Sequence, residues 1–408
     1  MAGALSGITV LDLSRILAGP WATQILADLG ADVIKIERPG NGDDTRSWGP
    51  PYLRAEDGGE TRESAYFSSC NRGKRSVAVD IASAEGQRIV RALAVRADVL
   101  VENFKAGDLA RYGLGYGDLA AINPRLVYCS ITGFGHSGPY RQRTGYDFMI
   151  QGLGGLMSIT GERDDLPGGG PQKVGVAMAD LMTGMYSTVA ILAALRARDA
   201  SGRGQHIDMA LLDCQVAALA NMNLNYFASG EVPRRWGNAH PNLAPYEAFA
   251  TRDGYVILAA GNDSQFAKWC EVAGCPELAA DARFARNDGR VRNRAELIPA
   301  VRTRMAQRTS AEWIAALEGV GVPCGPINDL SQVFEDPQVV ARGLKFELPH
   351  PTAGSVPQVA SPIRLTDTPP EYHRAPPTLG QHTGQVLAEL ADMDAEGIAR
   401  LKAAGIVQ

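Results

Sequence analysis

Short apolar runs alternate with amphipathic stretches along the first half of the chain. Residues 7–13 form an apolar run with β-branched members, Pro20 opens a helical stretch over 21–29 that Gly30 closes, and residues 32–37 resume strand character. This is a compact βαβ unit, whose parallel strands require a right-handed crossover. The alternation continues with a strand over 76–80, a helix near 84–96, a strand over 98–101, short helices near Asp108 and Asp118, and a strand over 125–131. Strands alternating with amphipathic helices predict a mostly parallel sheet covered on both faces. Residues 180–198 are apolar on nearly every side, the pattern of a buried helix, and a second long helix is expected near 211–228.

Beyond Gly230 the periodicity breaks at Pro233, Pro241 and Pro245, then residues 254–260 read as a strand followed by two helical stretches. The expected organisation is a large domain over 1–205, a linker helix over 206–231, a smaller α+β domain over 232–330, and a return to the large domain over 331–408. The prolines between 351 and 377 predict no regular structure in that tail before a final helix near 383–390.

Composition narrows the function classes. With 408 residues, 45% hydrophobic and 21% charged, the chain is an ordinary globular one. A net charge of −5 supplies no broad basic footprint for nucleic acid, so an anionic ligand needs a local basic cluster. The first twelve residues lack a cationic start followed by a long apolar run, and no uninterrupted apolar stretch reaches ~18 residues. A soluble, cytoplasmic protein with no membrane partner is expected. The six cysteines are dispersed and read as reduced thiols, and no metal site is expected. HExxH, GxxxxGK[ST] and GxSxG are all absent, and residues 14–20, after the first strand, do not form GxGxxG.

Two features carry chemistry. Arg38, Lys74, Arg75 and Arg111 stand near the ends of early strands, where loops of an open α/β sheet line the ligand crevice. There they would grip phosphate oxygens, or else they are scattered surface cations. Asp180 opens the buried helix, where the first unpaired N–H groups would keep its carboxylate ionised; an ordinary helix cap is the alternative. His136 and His240 have no informative partner.

Residues 7–15 with Ala18-Gly-Pro20, residues 28–39, Gly42-Asp-Asp-Thr-Arg46, residues 71–76, Val101-Glu-Asn-Phe104, Gly133-Phe-Gly135, Gly145-Tyr-Asp147, residues 179–184, residues 202–208 and Leu379-Gly-Gln-His382 together resemble the class III CoA-transferases. Within that family the likeness is greatest to the succinate–hydroxymethylglutarate (glutaryl) branch, through residues 42–51, 128–133, 235–240, 260–262 and 321–328. The resemblance implies a Rossmann-like sheet in the large domain, a small domain, and linkers that thread two protomers into an interlocked homodimer. It places Asp180 at the nucleophile, Arg38 at the adenine contact, Lys74 and Arg75 in a phosphate-facing cluster, and Asn103, Phe104 and Arg111 at further coenzyme A contacts.

The implied reaction moves CoA from an acyl-CoA donor to a (di)carboxylic acid through an aspartyl mixed anhydride and an aspartyl-CoA thioester. Coenzyme A and acyl-CoA are then substrates, and no permanently bound cofactor is expected. Arg15 is expected to contact the acceptor carboxylate or to form an interdomain salt bridge. Leu17 stands where the formyl-CoA branch has Gln, and Gly261 and Asn262 are expected in a short lid over the anhydride. Two competing readings remain. The 2-methylacyl-CoA racemases share the fold but carry a His where this chain has Tyr146, and a non-catalytic CoA-binding protein would keep the crevice without turnover.

Overall fold

The structure is a computed structural model describing residues 3–408. Two compact units divide the chain: Met1–Leu156, Val174–Ala228 and Gln338–Gln408 form the first, and Met157–Lys173 with Ser229–Pro337 form the second.

The first unit is built on six strands: β1 (Thr9–Asp12), β2 (Asp32–Glu37), β3 (Lys74–Ala78), β4 (Val99–Glu102), β5 (Val127–Thr132) and β6 (His206–Ala210). Every pairing is parallel, and the order is β3-β2-β1-β4-β5-β6. Successive residues send side chains to opposite faces. Val10, Val33, Val99 and Val127 therefore pack with helices α1 (Ala18–Asp28) and α4 (Met178–Ser201), whereas Leu11, Ile34, Leu100 and Tyr128 pack with α2 (Ala84–Arg96) and tail helices α10 (Thr383–Leu390) and α11 (Ala395–Ala403). Four side chains of α4, Thr183, Ser187, Thr188 and Arg198, are buried polar groups, and Arg198 pairs with Asp98 at 2.8 Å. The opposite face of α4 exposes Met185, Tyr186 and Val189, so the helix is not buried all round as its composition suggested.

Charges inside the strands are paired, as burial requires. Lys35 meets Asp43 at 2.9 Å, Lys74 meets Asp12 at 3.0 Å, and Arg46 grips Glu37 at 2.7 Å.

Four differences from the sequence reading have local causes. β3 begins at Lys74, two residues before the expected strand. Residues 206–210, expected to begin a linker helix, form edge strand β6. The helix expected near 211–228 is two helices, α5 (Leu211–Ala218) and α6 (Asn221–Ser229), because Ala220 turns left-handed at φ 46°. The proline-rich tail contains a regular antiparallel hairpin, Lys345–His350 with Gly354–Val359, in which Pro349 and Pro357 are tolerated because an isolated two-stranded ribbon leaves one edge of each strand unpaired. Past that hairpin the tail runs beside β3: the His382 N–H donates to the Ser76 carbonyl at 2.9 Å, and the Ala78 N–H to Thr383 Oγ1 at 3.1 Å.

The second unit has a three-stranded antiparallel sheet, β7 (Tyr246–Ala250), β8 (Tyr255–Ala259) and β9 (Cys324–Gly325), with β8 central. Helices α7 (Asp263–Val272), α8 (Arg294–Met305) and α9 (Ser310–Glu318) close its core around Phe249, Trp269, Met305 and Trp313.

Candidate active site

Strand order reverses between β1 and β4, so the loops leaving their carboxyl ends diverge and open a crevice. The loop after β1 supplies Arg15, Ile16 and Leu17; the one after β4 supplies Asn103 and Phe104; Thr132 and Gly133 close β5; and Asp180 enters from the start of α4. Together they line a cavity of about 250 Å³. A neighbouring cavity of about 370 Å³ is lined by Arg38, Ile81, Arg111 and Tyr112. Arg15, Phe104 and Asp108 line both, forming their shared wall.

Asp180 is the third residue of α4, and the residue before that helix, Ala177, supplies no cap. Asp147 does so instead: its Oδ1 accepts the Ala179 N–H at 2.8 Å and the Asp180 N–H at 3.4 Å. Asp147 opens helix α3 (Asp147–Leu153), and its Oδ2 accepts from Gln151 Nε2 at 2.7 Å. The capping role left open for Asp180 thus belongs to Asp147, and among the described residues no side-chain donor meets the Asp180 carboxylate. Burial, and then the charge of Asp147, push the Asp180 carboxyl up to about 7. This corrects the expectation that the helix start keeps it simply ionised: the nearest N–H groups face Asp147. The Tyr66 hydroxyl is pushed up to about 12, by burial first and then by the charge of Asp180.

The turn at Arg15 is tied from several sides. Its N–H donates to Asn103 Oδ1 at 2.8 Å and its carbonyl accepts from Asn103 Nδ2 at 2.7 Å, while its guanidinium lies 5.3 Å from the Phe104 ring centre and meets Asp44 at 2.9 Å. Asn103 therefore reaches the cavity wall with both ends of its amide engaged. The Phe104 N–H donates to Glu102 Oε2 at 2.7 Å. Ile16, a β-branched residue, is left-handed at φ 72°, a conformation that costs about 1–3 kcal/mol. Leu17 is buried and precedes α1, whose start has no side-chain cap; it offers the cavity an apolar wall.

The remaining expected site residues divide. Arg38 is exposed in the larger cavity, and among the described residues no acidic side chain pairs with it. Arg111 faces the same cavity, 3.2 Å from Asp108. Lys74 and Arg75 do not fit a phosphate-facing role, because they open their strand rather than leave it. All three Lys74 donors are taken, by Asp12 Oδ2 (3.0 Å), the Pro20 carbonyl (3.0 Å) and Asn71 Oδ1 (2.9 Å). Arg75 is held by Asp32 and Glu389 and is almost fully buried. Gly261 and Asn262 belong to the second unit, where Asn262 Oδ1 caps α7 by accepting the Gln265 N–H at 2.9 Å. Asp147, Tyr66 and Ile16 were not singled out as site residues; an Asp just before a helical stretch was the one available signal, for Asp147.

Comparison with known proteins identifies the family. The profile of CoA-transferase family III matches residues 5–383. A succinate–glutarate CoA-transferase of Agrobacterium fabrum (strain C58 / ATCC 33970) is 51% identical over 390 residues, covering 96% of each chain. The succinyl-CoA:glutarate CoA-transferase of Homo sapiens is 45% identical over 403 residues, covering 99% of this chain and 90% of the relative. The crystal structure of a CAIB/BAIF family protein from Brucella suis superimposes with a TM-score of 0.83 at 51% identity, covering 96% of this chain and all of that one. Rv3272 from Mycobacterium tuberculosis superimposes with a TM-score of 0.81 at 31% identity, covering 94% of this chain and 99% of the other. A six-stranded parallel sheet with a crevice at its switch point and a profile match over nearly the whole length lead to one conclusion: the chain belongs to CoA-transferase family III and is a CoA-transferase.

Proposed function

We propose that the protein moves CoA from succinyl-CoA or a similar acyl-CoA to a short dicarboxylic acid such as glutarate, with Asp180 as the nucleophile. The observation that carries this reading is an uncapped carboxylate at the switch-point crevice, freed because Asp147 takes the capping role. The names of the relatives support the substrate class.

In the first step an Asp180 oxygen attacks the thioester carbonyl and the C–S bond breaks, giving an acyl-aspartyl anhydride and CoA thiolate. The thiolate then attacks the Asp180 carbonyl, releasing the donor acid and leaving an aspartyl-CoA thioester. The acceptor carboxylate attacks that thioester, expelling the thiolate and forming a second anhydride. Attack of the thiolate on the acceptor carbonyl releases the new acyl-CoA and regenerates Asp180. Donors at the open start of α1 favour the oxyanion of each addition, and the apolar Leu17 wall limits water, which would hydrolyse the anhydride.

In this reading Arg38 and Arg111 hold the nucleotide end of CoA in the larger cavity, and the acyl chain passes the Arg15–Phe104 wall to reach Asp180. Tyr146, exposed at the start of α3, leaves the racemase reading without its histidine. The apolar face of α4, together with exposed Leu224 and Phe227 on α6, fits burial in an interlocked homodimer.

Mass spectrometry tests the chemistry. Protein mixed with succinyl-CoA without acceptor should carry a CoA adduct on the peptide containing Asp180, and Asp180→Asn should lose both adduct and turnover while still binding CoA. Turnover retained by Asp180→Asn overturns the reading.

A further inference from the structure

The proposed chemistry does not account for Ile16. Glycine, or asparagine at small cost, would take a left-handed turn readily, yet a β-branched residue stands there at φ 72° on the wall of the Asp180 cavity. The turn is held in that shape from separate strand ends. The Ser14 carbonyl accepts from Lys35 Nζ at 2.9 Å, Asn103 brackets Arg15, and the Ile16 N–H lies 3.2 Å from both oxygens of Asp43.

Asp43 is buried, and Lys35, fully buried, meets it at 2.9 Å. Its Oδ1 also accepts the Thr45 N–H at 3.0 Å and the Thr45 hydroxyl at 2.7 Å, while its own N–H donates to Glu37 Oε2 at 2.9 Å. Burial pushes its carboxyl up, but the Lys35 ammonium and the hydrogen bonds from Lys35 and Thr45 together more than offset this and keep it charged. The acceptor that fixes the Ile16 peptide is therefore itself immobile and ionised.

We propose that Asp43, backed by Lys35, is a positioning residue that forces the Ile16 peptide left-handed and thereby sets the Arg15–Leu17 wall against which acyl transfer at Asp180 takes place. The proposal rests on the reading of that cavity as the reaction site. Relaxation of Ile16 to an ordinary backbone conformation would turn the following peptide and carry Leu17 and the start of α1 away from the cavity.

The test is a rescue experiment, with kcat expressed per CoA-binding site so that unfolded protein is not counted. Asp43→Asn keeps an oxygen for the Ile16 N–H but removes the charge that Lys35 anchors. It should lower kcat about tenfold, equal to about 1.4 kcal/mol, and change KM for acyl-CoA less than about threefold. Adding Ile16→Gly, which takes positive φ without strain, should restore at least about fivefold of that kcat. A role in support of the fold alone predicts further loss, since glycine removes packing and loosens the turn.

Full kcat in Asp43→Asn, or a double variant no faster than the single one, overturns the proposal. If Asp43→Asn does not accumulate folded, Asp43→Glu, which moves the charge by one methylene, replaces it with the same expected loss, the same rescue and the same overturning results. Asp180→Asn assayed alongside separates the two ideas, because turnover in that variant removes the reaction site itself, whereas a failed rescue removes only the role of Asp43.

Discussion

The protonation state of Asp180 should set the acid limb of the pH profile. Moving its carboxyl from 3.8 up to about 7 corresponds to at most about 4 kcal/mol in favour of the neutral form. Only the carboxylate attacks a thioester, so kcat/KM should rise about tenfold per pH unit below about 7 and level off above it. Asp147→Asn keeps an oxygen acceptor for the Ala179 N–H and removes the neighbouring charge. Because burial is the larger cause, the midpoint should fall by about one pH unit or less. Asp147→Ala should give the same shift and in addition lose about 1 kcal/mol of stability with the cap.

The same raised value has a sign in stability. A carboxyl raised in the folded state adds stability fully below its unfolded value, and this is lost as pH rises through about 7. Asp180→Asn should therefore be more stable than the native chain near pH 8 and lose that advantage near pH 4. Initial rates of acyl exchange and urea midpoints, both taken across about pH 4–9, measure the two effects. A native midpoint below about pH 5, or an upward shift in Asp147→Asn, refutes the reasoning.

Three further outcomes follow from the placements. Lys74→Met leaves Asp12 buried without its ammonium, so the urea-derived stability should drop by about 3–5 kcal/mol while KM for acyl-CoA per folded site stays unchanged; a selective rise in KM would return Lys74 to the ligand. Arg38→Ala and Arg111→Ala should each raise KM for acyl-CoA about five- to twentyfold at constant kcat, with the native KM rising with salt and the variants' KM rising less steeply. Light scattering should give twice the chain mass for the native protein, and Val189→Asp, on the exposed face of α4, should weaken that dimer; a monodisperse single-chain mass for the native protein would refute the assembly.

The βαβ opening was legible because its pattern is local. Val10 and Leu11, or Val33 and Ile34, sit on opposite sheet faces, and short apolar runs on either side of a helical stretch bounded by Pro20 and Gly30 admit few other readings. Lys74 and Arg75 misled for a physical reason. Apolar residues mark a strand, and two cations before Val77 read as loop, yet both are strand residues neutralised by partners far off in sequence: Asp12 for Lys74, and Asp32 with Glu389 for Arg75. No local rule connects those pairs. The edge strand β6 escaped for a related reason, since His206 and Asp208 interrupt it and only pairing with β5 identifies it. Ala220, likewise, carries no sequence signal for a left-handed turn.

Asp180 shows how far position alone can carry function. A carboxylate at a helix start is ordinarily drawn to the free N–H groups there, which would both stabilise it and weaken it as a nucleophile. A second carboxylate from α3 occupies those donors, and the competition leaves Asp180 half-buried, without a side-chain donor and near the protonation boundary at neutral pH. A carboxylate so placed has lost part of the solvation that would oppose its attack, while the adjacent charge of Asp147 destabilises the anion further. Forming an ester-like bond at Asp180 removes that charge, so the repulsion that raises its pKa also favours the covalent state over the free carboxylate. Asp147 is therefore predicted to shift the balance between free enzyme and acyl-enzyme as well as the pH midpoint. Asp147→Asn should accumulate less CoA adduct at equilibrium with succinyl-CoA than the native protein does near pH 8, and equal or greater accumulation would show that the two charges are not coupled in this way.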